Sequence, residues 1–554
     1  MPIDASTNRS LSGRAGIPIL LLLIATAVFQ SFCILIPQWL SEDLYAGDAA
    51  QHVWWMYRFA DPALFPNDPI AAYYSLWAYS PPGYQALFRV LCVWGADPQR
   101  LAEAVAIVLA LAAIGLTAAL GACIGKKTGA VAAVAVYLVV HGERLVEGGF
   151  PRSFGLVLVL AGVLALYRRW WTALGLVFAI SPLLYAPTVL NLAPVTAAVL
   201  AVGIWRYRRL PRGFWNLAAL GSIGAIAVGL IYLRPLPAEV GPWFSASEAR
   251  KMAEWRPSGR TAFFRSPTSF YFTSQQSGLG LTRPQTIAAA VALLIGLAWR
   301  PRAVPLVAWA LLAGALIAWA AAHLFLFKLY LPNRYTMYAL PVFAMMWAAA
   351  FARQIKVVIL ARGGLAERLT RPIVLAGLCV FCVFTLAAAT RVAGAAMAVP
   401  PFGPRLTIGQ GPVLEYLRTL PADTRIAADP DDANSIPLFA RRSVLANTET
   451  SVAFNKAYYL RIRERIRSAF DMLYATDWTT IDAVATREGA TVFVLDRRRL
   501  THPDERPYYE PFRSENRLRI DAGRGRFALL DPPPGRVLMS NGEWVVLRVG
   551  EGAK

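Results

Sequence analysis

Asp48 and His52, in the stretch "YAGDAAQHVWWMYRF" (45–59), are the first residues of this chain whose types and spacing can do chemistry. Placed at i and i+4, they share one face of a helix. Asp48 follows Gly47, and as an N-cap its carboxylate would accept the free amide protons of a first turn. Read that way, the pair is a helix cap and an interfacial histidine. The functional reading makes Asp48 a base, or a metal ligand shared with His52, at a membrane surface. A carboxylate partly desolvated beside lipid gains proton affinity, which suits removal of a proton from an attacking sugar hydroxyl.

Two further segments carry candidate groups. In "HGERLVEGGFPRSFG" (141–155), Glu143 or Glu147 can hold a metal or an acceptor hydroxyl and Arg152 a phosphate. The alternative is exposed loop charge, with Arg152 snorkelling at a span end. In "HLFLFKLYLPNRYTMYALP" (323–341), Lys328 and Arg334 lie where the chain re-enters the apolar layer, with His323 before them. A guanidinium there can bind phosphate oxygens in a bidentate manner at headgroup depth. Glu254, Arg260 and the stretch "FYFTSQQSG" offer aromatic faces and amides suited to a sugar cleft. In the tail, "ADPDDANS" (428–435) lacks the twelve-residue calcium-loop pattern and its closing glutamate, and reads as a turn after a strand.

The elements that must position these groups follow from composition. The chain has 554 residues, 56% of them hydrophobic and 16% charged, too apolar for a soluble protein of several domains. Apolar runs long enough to cross a bilayer recur from Ile17 to Thr390 and then stop. The fold expected is a polytopic α-helical membrane protein of about 11 transmembrane helices, with a C-terminal soluble α/β domain. The spans fall near 17–38, 102–124, 129–141, 153–167, 171–185, 187–204, 214–233, 285–299, 303–325, 335–352 and 372–390. Residues 1–399 then form the membrane domain, with outer loops 39–101, 141–155 and 234–284, and residues 400–554 the outer domain. The first run lacks a small-residue cleavage site and reads as an uncleaved span.

The formal net charge of +21 raises the question of nucleic acid. Its clusters, however, fall between spans: Lys126-Lys127, "YRRWW", "RYRRLPR" and "RPR" read as cytoplasmic anchors, and no nucleic-acid partner follows. With those clusters inside, the N-terminus is cytoplasmic and the tail is outside. No aspartate occurs between Asp97 and Asp423, and nearly every remaining carboxylate falls on the outer side. The five cysteines lie in or beside the apolar part, and Cys379 and Cys382 read as packing residues. In the tail, "TRIAAD", "RSVLAN", "ATVFVLD", "RFALLD" and "EWVVLRV" read as strands among three helical runs. No glycine-rich phosphate loop is seen.

The stretches "GDAAQH" (47–52), "GGFPRSF" (148–154) and "LPNRY" (331–335), set in this order of spans and loops, resemble the integral-membrane glycosyltransferases of the C superfamily. That resemblance implies a bacterial-type inner-membrane enzyme moving a sugar from a polyprenyl phosphate or diphosphate to a saccharide, lipid or protein acceptor on the outer face. It also implies that the acidic residue of the first outer loop, here Asp48, is the catalytic base or a metal site. The paired acidic form of some members is absent, since Ala49 and Ala50 follow Asp48; use of a divalent cation, with Asp48 and His52 as its ligands, stays open. Transport of lipid-linked saccharides is the alternative activity, and a non-catalytic assembly protein a third.

Overall fold

The computed structural model describes residues 16–362, apart from 42–43, 281–282 and 299–303, and residues 409–550, with short fragments between 377 and 406. Within these residues the chain gathers into two compact units. One comprises 1–40, 103–233 and 267–402, the other 41–102, 234–266 and 403–554.

The first unit is a set of apolar helices. Seven helices among the described residues are long and apolar enough to cross a membrane, and two shorter apolar ones accompany them. Helical backbone satisfies its own polar groups, which lipid cannot do. Each expected span up to residue 352 is met: Gly16–Leu40, Pro98–Val139, Phe154–Arg168, Trp171–Leu184, Pro187–Tyr207, Phe214–Tyr232, Pro284–Ala298, Leu306–Leu324 and Ala339–Arg362. Most of the last expected span, 372–390, lies outside the described residues, as does Cys379.

Pro98–Val139 answers for two expected spans at once. It breaks at Gly125 and at Lys126, whose φ of 56° is left-handed, and both lysines of the Lys126-Lys127 pair are exposed at the bend. The arms then meet glycine to glycine. A Cβ on Gly129 would lie 2.3 Å from the Gly121 carbonyl oxygen. The other basic clusters sit where positive charge suits a helix C-terminus: Arg168 and Arg206 fall in last turns, closed by left-handed Arg169 and Arg208. Leu156, Val159, Leu160, Leu192, Leu311, Phe343 and Met346 form part of the buried core between these helices.

The second unit is an α/β structure assembled from tail and loops. Five strands, β1 (Arg425–Ala428), β2 (Ser443–Val444), β3 (Val492–Asp496), β4 (Val537–Ser540) and β5 (Trp544–Arg548), form one sheet in the order β2-β1-β3-β5-β4. β1 pairs in parallel with β2 and β3, while β5 runs antiparallel to β3 and β4. The expected strand "RFALLD" is instead a 3₁₀ turn, Ala528–Leu530. Phe527 and Leu529 bury as single anchors, without a row of backbone groups to pair. The edge strand β4 was not expected; it is half-exposed and carries a register shift between Val537 and Met539, so it has no clean alternation to read.

Loops 41–102 and 234–266 are built into this unit. The Tyr73 ring stacks on Tyr458 at 3.6 Å between centroids, and its hydroxyl donates to Asn455 Oδ1 at 2.9 Å. Phe244 N donates to Phe454 O at 2.9 Å, and the Tyr459 hydroxyl donates to Glu254 Oε1 at 2.8 Å. The proline-started helix Pro82–Val93 buries Tyr84, Phe88 and Cys92 and exposes Val90, Val93 and Trp94, the two-faced character expected of an interfacial helix. Ser245 caps Ala246–Lys251 through a capping box with Glu248.

Replacing Gly129 by leucine forces the two arms apart and should destabilise the protein by about 1–3 kcal/mol. Thermal unfolding in detergent should show a lower midpoint for Gly129→Leu. Gly115→Ala, where an added Cβ meets nothing within 4 Å, should leave it unchanged or raised.

Candidate functional site: a carboxylate pair and an arginine cluster

In the second unit, Asp48 precedes the four-residue helix Ala49–His52 but does not cap it. Its φ and ψ, −66° and −7°, are already helical, and its side chain makes no capping bond. Only its carbonyl serves the turn, accepting from the amides of Gln51 (3.0 Å) and His52 (2.9 Å). Asp68 does the capping in this loop: its Oδ1 accepts from Ile70 N at 2.8 Å and Ala71 N at 3.3 Å, ahead of Pro69. The His52 ring lies edge-on to Tyr74, 6.2 Å between centroids.

What stands beside Asp48 comes from the tail. Gln51 Nε2 donates to Glu449 Oε2 at 3.0 Å. Arg260, from the 234–266 loop, donates Nε to Thr448 O (2.6 Å) and Nη2 to Glu449 O (2.8 Å), and pairs with Glu449 Oε2 at 3.4 Å. Burial pushes the proton affinity of the Glu449 carboxyl up, Arg260 works against that rise, and the negative charge of Asp48 adds to it. Two carboxyls that feel one another resist ionising together, so one keeps a raised proton affinity. Nothing in the sequence marks Glu449, in "ANTETS", more than 390 residues from Asp48; its relation to Asp48 is purely tertiary.

In the first unit, the segment 141–155 is tied to the Gly16–Leu40 helix. Glu143 is 0% exposed and accepts from Gln30 Nε2 at 3.0 Å, with His141 Nδ1 at 3.1 Å. Glu147 accepts from Gln38 Nε2 at 3.0 Å. Gly148, at φ 80°, makes the turn, and Gly155 lets the Tyr338 ring lie flat on the backbone, where any Cβ would come within 2.4 Å. The Tyr338 hydroxyl then donates to the Arg152 carbonyl.

This contact joins 141–155 to the segment carrying Arg334. Arg334 lies in the short helix Asn333–Thr336, fixed by the Thr336 hydroxyl on Gly278 O (2.8 Å) and the Tyr335 hydroxyl on Leu329 O (2.7 Å). Its guanidinium sits 5.2 Å from the centre of the Tyr330 ring. Arg152 and Arg334 both act electrostatically on Tyr185 and Tyr338, and Arg334 acts on Arg283 as well. Arg152 and Arg334 thus lie within electrostatic reach of the same two tyrosines, and Arg283 within reach of Arg334. Arg283 carries no sequence motif and was missed. Lys328 is exposed at the tip of the tight Phe327–Tyr330 turn, and His323 bonds Trp319 O at 2.9 Å and packs on that indole.

Among the described residues, no group of three or more His, Cys, Asp or Glu is placed to hold a metal. Glu449, the second carboxylate near Asp48, already faces a guanidinium and an amide NH₂, partners that do not suit a divalent cation. The residues "ADPDDANS" form the turn after β1, with Asp429 and Asp432 paired to Arg499 at 3.3 and 2.8 Å.

No protein-family profile matches this sequence, nor does any curated protein. Solved structures do align with it. The oligosaccharyltransferase of Archaeoglobus fulgidus tethered to an acceptor peptide with the NVT sequon is 15% identical, covering 87% of this chain and 69% of that one, with a TM-score of 0.51. The same archaeal enzyme, AglB, in complex with an inhibitory peptide and a dolichol-phosphate, is 13% identical over 88% and 70%, with a TM-score of 0.50. ArnT from Cupriavidus metallidurans bound to undecaprenyl phosphate aligns over 96% of this chain and 98% of its own, at 13% identity and a TM-score of 0.47. The chain is a multi-pass membrane protein with the fold of the archaeal oligosaccharyltransferase, many apolar helices followed by a C-terminal domain built on a small sheet.

Arg260→Met would leave Glu449 without its cation and two backbone carbonyls without their donor. Loss of one partner from a largely desolvated pair costs about 3 kcal/mol. Limited proteolysis of Arg260→Met should open the 234–266 loop and the 447–455 stretch together, at a temperature where the wild type resists.

Proposed function

We propose that the protein is a glycosyltransferase of the bacterial cytoplasmic membrane, taking a sugar from a polyprenyl-phosphate-linked donor and transferring it to an acceptor on the outer face, with the N-terminus inside and the C-terminal domain outside. The observation that carries this reading is the setting of Asp48: a half-buried carboxylate whose charge is felt by a second carboxyl of raised proton affinity, Glu449, supplied by the tail. The fold shared with the archaeal oligosaccharyltransferase, whose structures hold a dolichol-phosphate or an acceptor peptide, supports it. Transport is disfavoured because the candidate ionisable groups lie in loops and at helix ends rather than at mid-helix positions.

In this reaction an acceptor hydroxyl attacks the anomeric carbon and gives its proton to Asp48. The new bond joins the acceptor oxygen to that carbon; the bond broken joins the carbon to the lipid phosphate oxygen, which leaves with the electron pair. A single displacement inverts the anomeric centre. Arg152 and Arg334, with Arg283, hold the phosphate and stabilise the charge it gains on leaving. Lys328, exposed near headgroup depth, attracts the donor without fixing it. Glu143 and Glu147 hold the arginine-bearing segment against the first helix, and His52 orients the Asp48 turn. Asp48 and His52 are the residues that would hold a divalent cation, and no step here runs through one.

Transfer from a polyprenyl-phosphate-linked sugar in proteoliposomes tests this. Asp48→Asn should lower kcat by about 10²–10⁴-fold, the range of a lost general base, with the fold intact by circular dichroism. Arg334→Gln should raise KM for the donor and lower kcat, because a phosphate ligand serves both binding and departure. Equal transfer by the wild type and Asp48→Asn would remove Asp48 from the chemistry and this reading with it.

A further inference from the structure

The C-terminal domain holds a cavity of about 400 Å³, within the size range of small-molecule sites. Phe470, Tyr474 and Tyr508 give it an aromatic wall. The Phe470 and Tyr474 rings lie nearly parallel, 15° apart, and Tyr508 stands edge-on to Phe470 at 5.2 Å. Tyr474 is half-buried while Phe470 and Tyr508 are buried, so Tyr474 is the ring of this wall with surface for the C–H face of a sugar.

The rim is charged. Arg513 and Arg517 line the cavity from the helix Phe512–Gly523. They are four residues apart on one face, exposed, and two like charges so placed repel. Every other arginine on or next to this cavity has an acidic partner: Arg506 with Asp496 (3.6 Å), Arg519 with Asp471 (2.8 Å) and Arg524 with Asp504 (2.9 Å). Arg513 and Arg517 have none among the described residues. The unpaired cations of this helix are thus the two that face the empty space, and Asn516 lies on the cavity between them.

The cavity also connects to the carboxylate pair. The hydroxyl of Tyr508 bonds Thr448 Oγ1 at 2.8 Å, and Thr448 immediately precedes Glu449. A ligand pressed on Tyr508 therefore bears on the loop that holds Glu449.

We propose that this cavity binds an anionic saccharide, its ring against Tyr474 and its phosphate or carboxylate between Arg513 and Arg517. That this ligand is the acceptor end of a transfer reaction rests on the glycosyltransferase reading; the binding itself does not.

Titration calorimetry on the full chain in detergent, with no sugar donor present, tests the binding alone. The probes are glucose 6-phosphate, glucuronate, glucose and inorganic phosphate. Both charged sugars should bind, glucose at least tenfold more weakly, and Arg513→Gln/Arg517→Gln should weaken the charged sugars at least tenfold. Both arginines are exposed, so the double variant should keep its unfolding temperature. A preference for glucose 6-phosphate over glucuronate assigns the anion as phosphate, and the reverse as carboxylate; either supports the site. Absence of binding by both charged sugars, binding indifferent to the double substitution, or inorganic phosphate binding as tightly as glucose 6-phosphate overturns it. A binding result of either kind leaves the Asp48→Asn transfer experiment to be decided separately.

Discussion

Glu449 sits where three stretches of chain distant in sequence meet: Gln51 from the first loop, Arg260 from the second, and its own loop from the tail. Moving a carboxylate out of water is costly, and the cost is met only if opposite charge and hydrogen bonds replace the lost solvent. Arg260 supplies the charge and Gln51 the amide. Because neither partner is local, the carboxylate can be satisfied only when both loops are docked on the tail. The same requirement recurs around it: Glu254 Oε1 accepts from Tyr459 and faces Arg463 at 3.3 Å, Asp97 meets Tyr57 and Arg441, and Asn455 meets Tyr73. In the unit that carries Asp48, polar groups that need a partner from another segment thus add to an apolar core that includes Ile426, Phe470, Phe493 and Val546.

That arrangement explains how a four-residue helix beside Asp48 can be held in place. A helix so short has no stability of its own. Ala49 and Ala50 bury on one side, Gln51 is anchored to Glu449, and the turn is completed by backbone carbonyls rather than by the Asp48 side chain. In the first unit the arginines are positioned by different means, through a flat tyrosine on a glycine and a hydroxyl on a carbonyl. Both devices fix the backbone that carries the charged side chains.

What could be read from the sequence followed from local chemistry. Apolar runs gave the spans because lipid imposes length and composition directly, and even the break at Gly125 and Lys126 was visible in the basic pair that interrupts the run. Asp48 was singled out by type and setting, but its expected capping role failed, because a capping side chain and a side chain merely preceding a helix look identical in sequence. Glu449 and Arg283 were invisible for a stronger reason: their significance is a partner far along the chain. The strand mistaken at "RFALLD" and missed at Val537–Ser540 shows the same limit, as an edge strand's pairing is decided by its neighbour.

In the proposed reaction Asp48 takes the proton, and Glu449, brought by the tail, sets the electrostatics in which it does so. A double-mutant cycle on sugar transfer, with Asp48→Asn, Glu449→Gln and the combination in proteoliposomes, measures that directly. Contacting groups in one network couple by about 0.5–3 kcal/mol, so the combined variant should lose several-fold less than the product of the single losses. Losses that multiply would show the two carboxylates acting independently and would contradict the account.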